Sequence, residues 1–215
     1  MNLSIERRPI AARGWRVSQV ITRWLIRCNA SPNAISIAGM FFALLAGIIF
    51  ALTDQSKWFF LVGAVLVLLR LLANMFDGMV AVDGKKVSPV GELYNEVPDR
   101  ISDAAILIGF GYALGSNLVL GYVAACAALF VAYVRAMGKA AGARNDFCGP
   151  MAKQQRMAMV IVVSMIAGFV PATWELSWNG FGLPALGLAL IILGSIATTV
   201  RRLNRIAHQL RNRPQ

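Results

Sequence analysis

Histidine, cysteine and charged residues are all scarce in this chain of 215 residues. The single histidine, His208, argues against a Ser-His-Asp triad and against a metal site built from several histidines. The three cysteines form no C-x-x-C pair and no disulfide framework, so each is interpreted as a small apolar side chain. Charged residues make up only 14% of the chain, whereas about a quarter is usual in soluble domains. A soluble globular enzyme is therefore disfavoured.

Hydrophobic residues are abundant instead, at 58% of the chain against about 45–50% in soluble domains. The formal net charge is nevertheless +11, because 21 lysines and arginines face only ten acids. A chain of this length fits one domain. Together these values predict a polytopic membrane protein whose basic ends contact membrane lipid, and no nucleic acid partner is expected.

Six stretches come close to the roughly 20 apolar residues that a helix needs to cross a bilayer. They are residues 33–53, 58–82, 91–114, 117–142, 153–172 and 181–203. The predicted fold class is all-α, with six transmembrane helices forming one membrane domain over residues 31–215. Lysine and arginine concentrate in the N-terminal arm, alternate loops and the tail, so the positive-inside rule predicts that both termini are cytoplasmic.

Residues 1–30 differ from the predicted spans because six arginines alternate there with apolar residues. This arm lacks the uninterrupted apolar core of a signal peptide. Its tryptophans, Trp15 and Trp24, and its apolar stripe favour an amphipathic helix lying on the membrane surface. A solvated basic arm is the alternative.

The acids of the chain are concentrated in one region that includes parts of two predicted spans. Six of the ten are Asp77, Asp83, Glu92, Glu96, Asp99 and Asp103. Because a charge inside a span costs about 3 kcal/mol on insertion scales, such a cluster indicates function. Helical spacing puts Asn74 and Asp77 on one face of the second span. It also puts the polar residues between 92 and 103 on one face of the third span. Oxygen ligands from two helices suit a hard cation of the Mg²⁺, Mn²⁺ or Ca²⁺ kind. The alternative is a structural network in which Asp99 or Asp103 pairs with Arg70 or Arg100.

The spacing of these residues resembles the signature of the CDP-alcohol phosphotransferases, D-x-x-D-G-x-x-A-R, eight residues, then G-x-x-x-D-x-x-x-D. The corresponding residues are Asn74, Asp77, Gly78, Ala81, Val82, Gly91, Asn95 and Asp99. Segments 31–39, 133–142 and 149–156 are also similar to family motifs. The departures are asparagine at the first and third signature aspartates and Val82 at the arginine, a pattern that resembles a less-studied bacterial branch.

The resemblance implies an enzyme of phospholipid biosynthesis in the bacterial inner membrane, with its active site on the cytoplasmic side. Such an enzyme moves a phosphatidyl group from a CDP-linked lipid, such as CDP-diacylglycerol, to an alcohol acceptor and releases CMP. One or two divalent cations, Mg²⁺ or Mn²⁺, and a homodimer are also implied. A catalytically impaired relative that binds CDP-lipid or a partner protein remains open, and so does an ion-binding transporter.

The resemblance implies a role for each residue that aligns with a functional position of the family. Asp99 is expected to accept the proton of the acceptor hydroxyl, with Asp103 as the second candidate. The expected metal ligands are Asn74, Asp77, Asn95, Asp99, Glu96 and Asp103, the last two restoring the charge lost at the asparagines. The expected nucleotide-binding residues are Ser31, Asn33, Asp77, Gly78, Ala81, Lys85 and Gly91, with Lys85 or Lys86 replacing the missing arginine.

The acceptor is expected at a group of basic residues at the cytoplasmic mouth, namely Arg135, Lys139, Lys153 and Arg156. Their charge favours a phosphorylated acceptor such as glycerol 3-phosphate. An inositol phosphate, serine or an unphosphorylated polyol is the runner-up. Alternatively, these residues are only the positive-inside residues of one loop.

Overall fold

The computed structural model describes residues 11–86, 88, 90–145, 147–170 and 180–212, without the side chains of Ala11, Ala12 and Glu92. In these ranges the chain folds into a short 3-10 helix and seven α-helices. They are the 3-10 helix Ala11–Gly14, α1 (Arg16–Arg27), α2 (Pro32–Phe50), α3 (Trp58–Asp83), α4 (Gly91–Gly111), α5 (Leu118–Ala140), α6 (Lys153–Phe169) and α7 (Leu183–Arg211). The predicted all-α class is confirmed.

Four of the helices, α2, α3, α5 and α7, are long and apolar enough to cross a membrane. Helix α4 contains the acidic cluster, and α6 has 17 residues, or about 26 Å against a hydrocarbon core of about 30 Å. The six-span arrangement therefore stays a prediction. Helix α7 continues beyond the predicted end at residue 203, because Arg202 and Ile206 are buried and Ile206 packs directly over Gly138 of α5.

Helices α2 to α7 form a closed ring in which neighbours pack in the order α2, α4, α5, α7, α6, α3 and back to α2, with a smaller contact between α4 and α7. The contact between α2 and α4 is very close at Gly47 and Gly109. A Cβ atom added to Gly109 would lie 2.3 Å from the Gly47 Cα atom. Small residues permit such approaches between membrane helices. The ring places α3 and α4 on either side of α2, where their polar side chains face each other.

Helix α1 packs on α3 through its small polar residues. Ser18 and Thr22 are buried, and the Thr22 hydroxyl lies 3.7 Å from the Met79 sulfur. Apolar residues of the same segment, including Trp15 and Trp24, are exposed. A surface helix over residues 1–30 stays a prediction, since residues 1–10 lie outside the described ranges, and so does the division of the chain at residue 30.

Candidate active site

A large open cavity of about 1450 Å³ lies inside the helix ring. Ligand pockets commonly measure about 300–1,000 Å³, so this one has room for more than a nucleotide. Most of the predicted site residues line it. They are Asn33, Asn74, Asp77, Gly78, Ala81, Gly91, Asn95, Glu96, Asp99, Arg135, Lys139, Lys153 and Arg156. The remaining predicted residues, Ser31, Lys85 and Asp103, are not among its lining residues.

Asparagine side chains connect α3 to α4 at the cavity wall. The Asn74 amide nitrogen donates to Asn95 Oδ1 at 3.0 Å and to Asp99 Oδ1 at 3.2 Å. An aspartate at position 74 has no amide hydrogen to donate, so these bonds depend on asparagine. The two polar stripes that the sequence predicts on neighbouring helices therefore do meet.

Asp99 has a cationic partner at each carboxylate oxygen. Arg70 of α3 donates to Oδ1 at 2.7 Å, and the Lys153 ammonium group at the start of α6 donates to Oδ2. The same ammonium group donates to Asn74 Oδ1 at 2.7 Å. Sequence analysis assigned Lys153 to the acceptor pocket, whereas the structure places it among the signature residues. The basic segment opening α6 was its only signal in the sequence.

Asp77 lines a small cavity together with Arg70 and Asp99, and a hydroxyl group of α2 holds its carboxylate. The Ser36 hydroxyl donates to Asp77 Oδ2 at 2.6 Å, and Asp77 is 4% exposed. The same small cavity adjoins both side chains and also contacts Asn74. Ser36 was not among the predicted site residues, although it lies within the motif-like segment 31–39.

Asp103 is fully buried and pairs with arginines. The Arg156 guanidinium donates to Asp103 Oδ2 at 2.8 Å, and Arg70 lies 3.7 Å from Oδ1. Both Asp103 and Arg156 are 1% exposed. The catalytic or metal-binding role of Asp103 stays a prediction. The contact with Arg70 agrees with the structural alternative, whereas the closer partner, Arg156, was expected in the acceptor pocket.

Glu96 also pairs with arginines. Its carboxylate accepts from Arg100 at 3.1 Å and from Arg135 at 2.5 Å. These contacts fix the Arg135 guanidinium at the cavity wall, where it also lies 5.5 Å from the centre of the Phe147 ring. A further basic residue of the wall, Arg202, was not among the predicted site residues; it is buried and donates to two backbone carbonyl groups.

Of the two lysines proposed to replace the signature arginine, Lys86 lines the same cavity as Asp77, and Lys85 is not among the lining residues. The Lys86 ammonium group donates to Asn29 Oδ1 at 2.6 Å, and Lys85 is exposed. Arg13 also lies beside the signature, since its guanidinium is 3.7 Å from where a Cβ atom on Gly78 would be. Arg13 belongs to the basic arm, and no local spacing relates it to Gly78.

The oxygen ligands of the site fit a hard cation next to Asp77. Within the described ranges, the side-chain partner of Asp77 is the Ser36 hydroxyl and not a lysine or arginine. Carboxylate and amide oxygens are the ligands that Mg²⁺ and Mn²⁺ accept. Both Asp99 oxygens are already bonded to Arg70 and Lys153. Among the described residues, no three histidine, cysteine or acidic side chains converge on one point.

The family model of the CDP-alcohol phosphatidyltransferases matches residues 29–200. The chain belongs to this family. Members use divalent cations. The chain is 26% identical to the inner membrane protein YnbA of Escherichia coli K12 over 73% of its length and 76% of that protein. It is 24% identical to the phosphatidylinositol phosphate synthase of Mycolicibacterium smegmatis over 89% of its length and 84% of that enzyme.

The fold is that of a solved member of the family. The crystal structure of the Mycobacterium tuberculosis phosphatidylinositol phosphate synthase with CDP-DAG bound superimposes with a TM-score of 0.73 at 22% identity. The superposition covers 93% of this chain and 96% of that one. The same enzyme in complex with manganese and citrate gives a TM-score of 0.73 at 21% identity, over 91% and 92% of the two chains.

Proposed function

We propose that this family member transfers a phosphatidyl group from CDP-diacylglycerol to a phosphorylated polyol and releases CMP, at the cytoplasmic face of a bacterial inner membrane. The observation that carries the proposal is one cavity lined both by the signature residues of α3 and α4 and by basic side chains of α5, α6 and α7. Its size suits a nucleotide-linked lipid together with a small acceptor. The homodimer and the six spans that the resemblance implies belong to the same proposal.

The donor diphosphate is proposed to bind beside Asp77 and Gly78. Glycine there leaves the helix backbone open to a close ligand. The Arg13 guanidinium next to Gly78 supplies a positive charge for the diphosphate, in place of the signature arginine. A solved relative has CDP-DAG bound, which supports this donor class.

In the proposed reaction, the acceptor hydroxyl oxygen bonds to the phosphorus that bears the diacylglycerol. The bond from that phosphorus to the bridging oxygen breaks, CMP leaves with the electron pair, and the hydroxyl proton passes to a carboxylate. A divalent cation held at Asp77 would neutralise charge on the diphosphate. Asp99 is proposed as the proton acceptor because it lines the cavity and is oriented by Arg70 and Lys153.

The acceptor is proposed to bind through a phosphate group to the basic wall formed by Arg135, Lys139 and Arg202. Guanidinium groups bind phosphate through paired hydrogen bonds, and the Glu96 contact holds Arg135 in place. Arg156 lines the same cavity, but its guanidinium donates to Asp103 and to the Met151 backbone carbonyl. Glycerol 3-phosphate and an inositol phosphate share the group that this wall would recognise, and several relatives are phosphatidylinositol phosphate synthases.

The proposal is tested by measuring CMP release from CDP-diacylglycerol by the purified chain in Mn²⁺ or Mg²⁺. The acceptors are glycerol 3-phosphate, inositol phosphate and their unphosphorylated counterparts, and lipid mass spectrometry identifies the product. We expect CMP release with a phosphorylated acceptor only. Asp77→Ala should reduce it by about 100-fold or more, as expected for a group that holds transition-state charge, whereas Asp54→Ala at an exposed turn should not. Binding of CDP-diacylglycerol without CMP release would favour the catalytically impaired relative instead.

A further inference from the structure

We propose that the Lys153 ammonium group permanently occupies the place of one divalent cation, so that the active site takes a single metal ion at Asp77. The inference rests on the proposed function and specifies how many divalent cations its active site binds. Sequence analysis left one or two divalent cations open, and the contacts of Lys153 distinguish between them.

The first support is the position of the ammonium group. It bridges oxygen atoms of two helices, Asn74 Oδ1 of α3 and Asp99 Oδ2 of α4. A divalent cation bound between Asn74 and Asp99 would need these same oxygen atoms. The Lys153 side chain is 16% exposed, and Lys153 is the first residue of α6, so the helix fixes where the side chain begins.

The second support is the charge balance around the site. Asp99 and Asp103 form ion pairs with Arg70, Lys153 and Arg156, and Asp77 supplies a third carboxylate nearby. One divalent cation brings two positive charges, which the two negative charges of a bound CDP-linked diphosphate offset. A second would leave two positive charges without partners in a partly buried site, where unpaired charge is costly.

The third support is the chemistry of the two asparagines. Asn74 and Asn95 stand where the family signature has aspartates, so the site lacks two negative charges that a second divalent cation would need. Asn74 uses its amide hydrogens to bind Asn95 and Asp99, and its carbonyl oxygen accepts from Lys153. An aspartate at position 74 would lose both donated bonds. Asn74, Asn95 and Lys153 are therefore connected by hydrogen bonds in which the lysine, and not a second metal ion, supplies the positive charge.

The test counts bound Mn²⁺ per chain by electron paramagnetic resonance of the free ion, using purified full-length protein in an uncharged detergent. We expect one Mn²⁺ per wild-type chain and two in the variant Asn74→Asp/Asn95→Asp/Lys153→Met. The double variant Asn74→Asp/Asn95→Asp keeps Lys153. It should bind the second Mn²⁺ at least 10-fold more weakly than the triple variant. The control Lys57→Met removes a lysine just before the start of α3, at the end of the helix far from the signature residues. It should bind one Mn²⁺ per chain, like the wild type.

The wild-type count decides the proposal even if a variant does not fold. Two Mn²⁺ ions per wild-type chain, or none, would overturn it, and so would a folded triple variant that binds no more than one. CMP release measured on the same wild-type sample separates the two hypotheses. Turnover with two bound ions would refute the role of Lys153 and leave the proposed function intact, whereas absence of turnover with every acceptor would count against the function itself.

Discussion

The buried ion pair between Asp103 and Arg156 gives a sharp test of what holds the site in place. We predict that Asp103→Asn destabilises the protein, because asparagine keeps the shape of the side chain but removes its charge. Arg156 and Arg70 would then share a buried region with one carboxylate fewer. Removing one partner of a buried pair typically costs about 3–5 kcal/mol.

The lower end of that range applies here, because both arginines keep another partner. Arg70 still contacts Asp99, and Arg156 still donates to the Met151 carbonyl. In a protein of this size, a loss of about 3 kcal/mol lowers the unfolding midpoint by about 6–12 °C. Thermal unfolding in detergent should show this shift for Asp103→Asn but not for the matched change Asp83→Asn, which is exposed.

A double-mutant cycle completes the test. The apolar variant Asp103→Leu/Arg156→Met should recover part of the stability that either single change loses, since replacing a whole buried pair is often nearly neutral. A coupling energy below about 0.5 kcal/mol, or a midpoint for Asp103→Asn equal to that of Asp83→Asn, would refute the reasoning. If Asp103 instead binds the metal, Asp103→Asn should weaken activation by Mn²⁺, and high Mn²⁺ should rescue activity.

Gly109→Ala should lower the unfolding midpoint, because its Cβ atom would lie 2.3 Å from Gly47 and overpacking typically costs about 1–3 kcal/mol. Gly14→Ala meets no atom within 4 Å and serves as the control, so equal midpoints for the two variants would contradict this packing argument. Arg13→Met should raise the KM for CDP-diacylglycerol by about 10-fold through loss of a charged contact worth about 1.5 kcal/mol. Arg16→Met, at an exposed position of the same arm, should leave that KM unchanged, and equal values for the two variants would contradict a role for Arg13.

The helices themselves were predictable from the sequence, because long apolar runs and their polar breaks are local properties. The helices from α2 to α6 begin and end within a few residues of the predicted stretches. The meeting of Asn74 with Asn95 and Asp99 was also predictable. Spacing of three and four residues places each set on one helix face, and a short loop brings the two faces together.

Only the tertiary structure decided which other side chains reach those residues. Lys153 is 79 positions from Asn74, and Arg13 is 65 positions from Gly78, so neither contact leaves a local pattern in the chain. Closure of the helix ring brings the start of α6 against α3 and α4. The sequence therefore determined that the site contains oxygen ligands and basic residues. The packing of the ring determined that a lysine, and not only a metal ion, can neutralise Asp99.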